Sequence, residues 1–354
     1  MSISRREFLS IIAGASVASL VSPSLIYADE VGGANSKVVA TEEMAGLISR
    51  EIGEIRAQAN GLGLSNVDFD NLSIANGVPT YIFDGEVFHD EAPYFPITDN
   101  GKLVFWVIED EHGVQVTDGL VSELRGIVPS EANVAIIYDR TTAYLYREDE
   151  SSYTPLVTYP QFPERGDVDT TIAPNISPSS SANSVPIPSS PIARASNYSL
   201  SVPVVRQPSG SLMCWAASCA SISNYLLGTG YTCEGVAKKW YGSSNYNRAL
   251  SYSDSARVLQ ALGLSYTHYG SAPTTSKITN NLSRGYPVYG CWSYGSGTGH
   301  ATVIRGLTSS NNLSLMDPLT SSFTTANYSY GLWWARSAGT GSQMHLEATT
   351  CRYA

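Results

Sequence analysis

Apolar residues first fall into a helical rhythm at Met44, Leu47, Ile48, Ile52 and Ile55. Thr41 precedes them as an N-cap, and Glu42 and Glu43 fill the first turn. The pattern predicts an amphipathic helix over 42–58. The period then shortens. Runs at 80–83, 94–97, 103–108, 114–116, 134–138 and 143–146 read as strands. Asp99-Asn100-Gly101 and Glu111-His112-Gly113 read as turns between them. One helix packed on an antiparallel sheet accounts for this half. No catalytic constellation stands out in it, and His89 and His112 read as ordinary surface histidines.

Past residue 200 helices come first and strands second. Residues 215–227 are rich in Ala and apolar side chains and stop at Gly228. Ser253 or Asp254 caps a second helix through Leu262, with Gly263 as its stop, and 275–284 makes a third, ended by Gly285. Residues 287–292, 301–304, 313–316 and a run around 344–348 then read as strands. The expected fold class is α+β.

Between the halves, 166–199 is rich in Ser and Pro and reads as an exposed linker. At the start, Ser4-Arg5-Arg6-Glu7-Phe8-Leu9 precedes a mildly apolar stretch over 11–26, and Ala28 offers a small residue for cleavage. This reads as a secretory signal whose paired arginines resemble the twin-arginine type, an ordinary secretory signal being the alternative. The stretch is too weakly apolar for a stable membrane anchor. The expected division is a signal peptide over 1–28, an N-terminal domain over 29–165, the linker over 166–199 and a second domain over 200–354. The expected location is outside the bacterial cytoplasm: secreted, periplasmic or at the cell surface.

Charge separates the halves as well. The chain carries a net −10. Residues 198–354 hold ten Lys/Arg and four Asp/Glu, a net +6, which leaves −16 to residues 1–197. An acidic domain tethered to a basic one can dock on it through complementary potential; two independently solvated domains are the alternative. The basic residues are scattered, with no run that argues for nucleic acid.

Three positions in the basic half have the residue types of nucleophilic catalysis. Cys214 opens the helix that follows, and a helix N-terminus favours thiolate over thiol. His300, in Gly299-His300-Ala301-Thr302-Val303-Ile304, begins a β-branched run. Asp317 ends the next strand, before Pro318. A thiol needs a base, and the base needs a partner that holds its tautomer. A buried structural cysteine and an Asp-Pro turn starter are the bland alternatives. His268 and His345, the other histidines after residue 200, lie in weaker settings.

In this order, with Gln207 seven positions before Cys214-Trp215, the segment of about 200–354 resembles papain-like cysteine peptidases. It is most similar to the compact bacterial branch of bacteriocin-leader peptidases and secreted effector proteases. The resemblance implies a two-lobed catalytic domain. A helical lobe carries Cys214 and an antiparallel sheet lobe carries His300 and Asp317, behind a separate α+β N-terminal domain. It implies thiolate attack by Cys214, proton transfer by His300, orientation by Asp317, and an oxyanion hole from Gln207 and the Cys214 N–H. The gap from Gln207 to Cys214 is one residue longer than in papain, and Asp317 stands where papain-type enzymes carry Asn.

A peptidase of this kind made as a zymogen would need a cut between its halves. Arg194 is the only basic residue between 166 and 200, which makes it the processing candidate, with self-cleavage at about 190–200 as the alternative. The expected partners are a peptide or protein substrate and the acidic domain docked on the catalytic one. No cofactor is implied, and no Cys-x-x-Cys or His-x-x-x-His spacing supports a metal. Acyl transfer or amidase chemistry on peptide crosslinks with the same triad, and a non-catalytic surface-binding protein, are the alternative functions.

All five cysteines, Cys214, Cys219, Cys233, Cys291 and Cys351, lie in the second half. In an exported protein an odd count points to one reactive thiol and paired others. With Cys214 set aside, the favoured pairing is Cys219 with Cys233 and Cys291 with Cys351. Four reduced thiols are the alternative.

Overall fold

A computed structural model describes residues 39–128, 133–139, 141–158, 174, 184–189, 198–295 and 297–353. The segment expected to be a signal peptide, most of the expected linker and Arg194 lie outside the described residues. The first helix, α1, spans Glu42–Leu62. Thr41 caps it, its Oγ1 accepting the Met44 N–H at 3.1 Å, and Gly63 ends it in the left-handed conformation that glycine adopts without strain. Its buried face holds Met44, Ile48, Ile52 and Ile55, but also Glu54 and Gln58.

Five strands follow: β1 (Leu72–Ala75), β2 (Val78–Phe83), β3 (Phe88–Asp99), β4 (Lys102–Asp110) and β5 (Gly113–Thr117). After a short helix α2 (Val121–Leu124) come β6 (Val134–Tyr138), β7 (Thr142–Arg147) and β8 (Ser152–Thr158). β3 serves two sheets. Its first half pairs with β2, which continues through β6 to β7 and β8, and its second half pairs with β1 and β4. A short strand β9 (Ser184–Pro186) adds to the edge at β1.

The second half runs β10 (Tyr198–Ser199), α3 (Cys214–Leu227), α4 (Cys233–Tyr241), a 3-10 turn (Tyr252–Asp254), α5 (Ser255–Ala261), β11 (Thr267–Tyr269) and α6 (Thr275–Leu282). Six strands then wind in sequence: β12 (Val288–Ser293), β13 (Gly299–Leu307), β14 (Leu313–Asp317), β15 (Ser321–Ser329), β16 (Leu332–Arg336) and β17 (Gln343–Cys351). Each pairs antiparallel with the next, and β17 returns to β12, so the sheet closes into a barrel. Ile304, Leu313, Leu315, Trp333, Met344 and Leu346 share one core. The sequence pattern missed β15, β16 and α4. Ser and Thr fill β15, and their hydroxyls bond across to β5, so no apolar alternation marks it.

The described residues form one compact unit. β5 pairs with β15 at Thr117 and Thr324. Buried Gln115 donates to Thr324 Oγ1 at 3.0 Å and to the Arg336 carbonyl at 2.9 Å, and accepts the Arg336 N–H at 2.7 Å. The Arg336 guanidinium reaches Glu91 at 2.7 Å. On the other side α1 lies across the β13–β14 hairpin. Glu54 accepts the Ser309 N–H at 3.0 Å, and the Ser314 hydroxyl donates to Gln58 Oε1 at 2.8 Å. His112, expected at the surface, instead stacks on Trp334 with ring centroids 4.1 Å apart. The strand that carries Trp334 was not visible in the sequence.

Gly306 marks a tight point of the α1–barrel contact. A Cβ there would stand 2.6 Å from Gln58 Oε1, 2.8 Å from Ser314 Cβ and 2.9 Å from the Tyr198 carbonyl. Two of these neighbours are backbone or Cβ atoms that move only with their strands. Gly306→Ala is expected to destabilise the protein by about 1–3 kcal/mol. A thermal melt of the variant that coincides with wild type would refute the contact.

Candidate active site

α3 begins at Cys214, and its first ten residues are all buried. Ala at 216, 217 and 220 lets the helix lie close to the barrel. The Ser218 hydroxyl bonds the Ala301 carbonyl at 3.2 Å, one residue past His300. Met213 precedes the helix and supplies no capping side chain, so the partial positive charge of the helix end faces the thiol uncompensated.

The other two groups come from the β13–β14 pairing. Val303 lies opposite Met316 and Ile304 opposite Leu315. Continued by one step, this register sets Asp317 opposite Thr302. His300 is two residues farther on the same face, a diagonal neighbour. The side chains close that gap: His300 Nε2 lies 2.8 Å from Asp317 Oδ1. The same oxygen accepts the Leu319 N–H at 2.8 Å. Cys214 lines the same small cavity as His300, and its thiol is among the groups that raise the imidazole. With Nε2 engaged by Asp317, Nδ1 is the nitrogen left to the sulfur.

Both members of the pair are 1 % exposed. Burial pulls the His300 imidazole down. The Asp317 carboxylate, Tyr294 and the bonds to Asp317 and Cys214 outweigh it and hold the group well above its ordinary value. Burial pulls the Asp317 carboxyl up, and the His300 charge and hydrogen bond, with the Leu319 N–H and Arg206, bring it below its ordinary value. Both therefore stay charged around neutral pH. The four thiols other than Cys214 are held protonated. Burial raises Cys219 and Cys291, pushes Cys233 up to about 12 and pushes Cys351 up to about 11.

All five cysteines are free, so the two expected disulfides are absent. For Cys291 and Cys351 the sheet supplies the reason. Cys291 lies opposite Ala348 on β17, which leaves Cys351 three positions along, about 10 Å away. The two also face different cores. A disulfide needs Cα atoms within about 7 Å. Cys219 and Cys233 share a core, but the Cys233 thiol is directed to the Met213 carbonyl at 3.5 Å.

Gln207 is buried beside this site. Its N–H donates to the Pro318 carbonyl at 2.9 Å, next to Asp317. Its Nε2 donates to the Ser211 carbonyl at 2.9 Å, which leaves one amide hydrogen for another acceptor. His268, on β11, bonds Thr350 Oγ1 at 3.1 Å, and His345, on β17, packs on Trp334. Sequence reading missed Arg206, whose Nη1 donates to the Asp317 carbonyl at 3.1 Å, and Tyr252. The Tyr252 hydroxyl bonds the Trp292 carbonyl and occupies the space a Cβ would need at Gly299. Leu250, Tyr252, Tyr289 and Gly299 enclose a small cavity at Cys214 and His300.

Residues 196–330 match the family model described as papain-like cysteine protease AvrRpt2. This segment is a papain-like cysteine peptidase. The match takes in Cys214, His300 and Asp317 and ends before β16. No curated protein matches the chain.

The charge balance around the peptidase's His300 predicts a pH effect. Asp317 raises the His300 pKa, so its removal lowers it, and the imidazolium is lost at lower pH. In Asp317→Ala the alkaline limb of the pH–rate profile is expected to move down by at least about one pH unit. An alkaline limb that stays in place would show that Asp317 does not hold the imidazole.

Proposed function

We propose that the chain is an exported endopeptidase made as a zymogen, with Cys214 as nucleophile. The observation that carries this reading is the buried His300–Asp317 pair beside Cys214, which lines the same small cavity. The Cys214 thiolate attacks the scissile carbonyl and a tetrahedral oxyanion forms. The Cys214 N–H and the remaining amide hydrogen of Gln207 receive it. Collapse breaks the C–N bond, and His300 gives its proton to the leaving amine. Water, deprotonated by His300, then attacks the thioester and frees the acid product and the thiol. Asp317 keeps the imidazole turned toward sulfur throughout.

The zymogen reading rests on burial. Cys214 is 6 % exposed. Tyr294, beside His300, packs on the core formed by the N-terminal sheet. A substrate needs that cover shifted. The opposite charges of the two halves and the Ser/Pro-rich stretch between them support a pro-region released by cutting at Arg194 or by self-cleavage at about 190–200. The paired arginines at 5 and 6 support export.

Two measurements test this reading. Cys214→Ala is expected to lose peptide hydrolysis entirely, while Cys219→Ala keeps the chemistry and loses at most about 1 kcal/mol of stability. Hydrolysis by the Cys214→Ala protein would overturn the assignment. Intact mass and N-terminal sequencing of the exported protein test activation. Wild type should begin between about 190 and 200, and Cys214→Ala should keep its N-terminal half where no other protease is present. The same N-terminus in both, at the signal cleavage point, would refute self-processing.

A further inference from the structure

A cavity of about 310 Å³ lies on the side of the peptidase where Arg206 emerges. This is the lower end of the size range of small-molecule sites. Residues from both halves line it. Asn66, Asp118, Ser122 and Arg125 come from one side of the linker, and Arg206 and Ser322 from the other. The remaining walls are apolar, from Leu64, Val67, Val104 and Val121.

Its charge is not neutral. Arg125 is exposed toward it and makes no hydrogen bond or ion pair among the described residues. Arg206 spends two donors on the Asp317 carbonyl and on Ser322 Oγ, each at 3.1 Å, and a guanidinium has five. The one carboxylate in the lining, Asp118, accepts the Phe323 N–H at 2.8 Å and interacts with buried Arg305 behind it. Asp118 interacts with Arg206 as well as with Arg305, so one carboxylate answers three guanidiniums once Arg125 is included, and the site keeps a net positive charge. Burial also pushes the Asp118 carboxyl up to about 6, which reduces its negative charge in mildly acidic medium.

We propose that this cavity is a binding site for a small oxyanion-bearing molecule, a compact polycarboxylate or a phosphate, held between Arg125 and Arg206. Guanidinium forks pair with carboxylate and phosphate oxygens in two-point contacts. The ligand joins the halves on either side of the linker and rigidifies Arg206. Through Arg206 it acts on the Asp317 backbone and so on the placement of His300, which makes it a regulator rather than a substrate.

Calorimetric titration of the full chain at constant ionic strength, in the Cys214→Ala form that cannot cut itself, tests the site. Citrate and inorganic phosphate are the two probes. Saturable binding of either is expected; tighter citrate assigns a carboxylate ligand and tighter phosphate a phosphate ligand. Arg125→Gln should weaken binding at least about tenfold, with the anion-free peptidase rate of the Cys214 form unchanged. Asp118→Asn removes a negative charge while its amide oxygen still accepts the Phe323 N–H, so it should bind at least as tightly as wild type. No saturable heat from either probe, or Arg125→Gln binding as wild type, or weaker binding by Asp118→Asn, would overturn the proposal. None of these binding readouts depends on Cys214 being the nucleophile.

Discussion

The pairing of β13 with β14 is the constraint on which the site depends. Its register decides which residue faces His300, and a slip of one position would turn Asp317 to the other side of the sheet. Barrel closure protects that register, because a strand held on both sides cannot slide without breaking two ladders. Arg206 and Gln207 add a second hold, since both bond backbone carbonyls at Asp317 and Pro318. The geometry of the pair is therefore set by backbone hydrogen bonds, and side-chain packing only shields it.

Shielding sets the chemistry. In water the imidazole would titrate near neutrality and the carboxylate would be screened. Buried together, each stabilises the charge of the other, and breaking the pair would leave one uncompensated charge in the core. The same burial has the opposite effect on the four thiols without a basic partner, which it holds protonated. One protein interior thus holds a charged His300–Asp317 pair beside four thiols kept protonated. The difference is a neighbour, not depth.

Cys214, His300 and Asp317, which the structure brings together, were legible in the sequence because each sits at the end of a regular element, where local signals are strongest. The first helix was legible from its spacing, although it runs on to Leu62, where Gly63 ends it. β15 was not, since Thr324 and Thr325 at its buried positions accept hydrogen bonds from Gln115 and the Val116 N–H, 209 residues away in the chain, and β16 was not either. The same distance hid the role of His112, whose stacking partner is Trp334. Tyr252 and Arg206 carried no pattern at all; only the fold brings them to the site. The disulfide expectation failed because it counted cysteines without a register, and β12 and β17 set Cys291 and Cys351 on different faces.

The free state of those four thiols separates two requirements that often conflict in thiol enzymes. A catalytic sulfur must be kept reduced to work, whereas a crosslinked scaffold must be kept oxidised to stay folded. Here the barrel closes through hydrogen bonds and packing alone. With all five cysteines free, a reductant finds no crosslink in the barrel to break, and the fold rests on strand pairing rather than on an oxidised thiol pair.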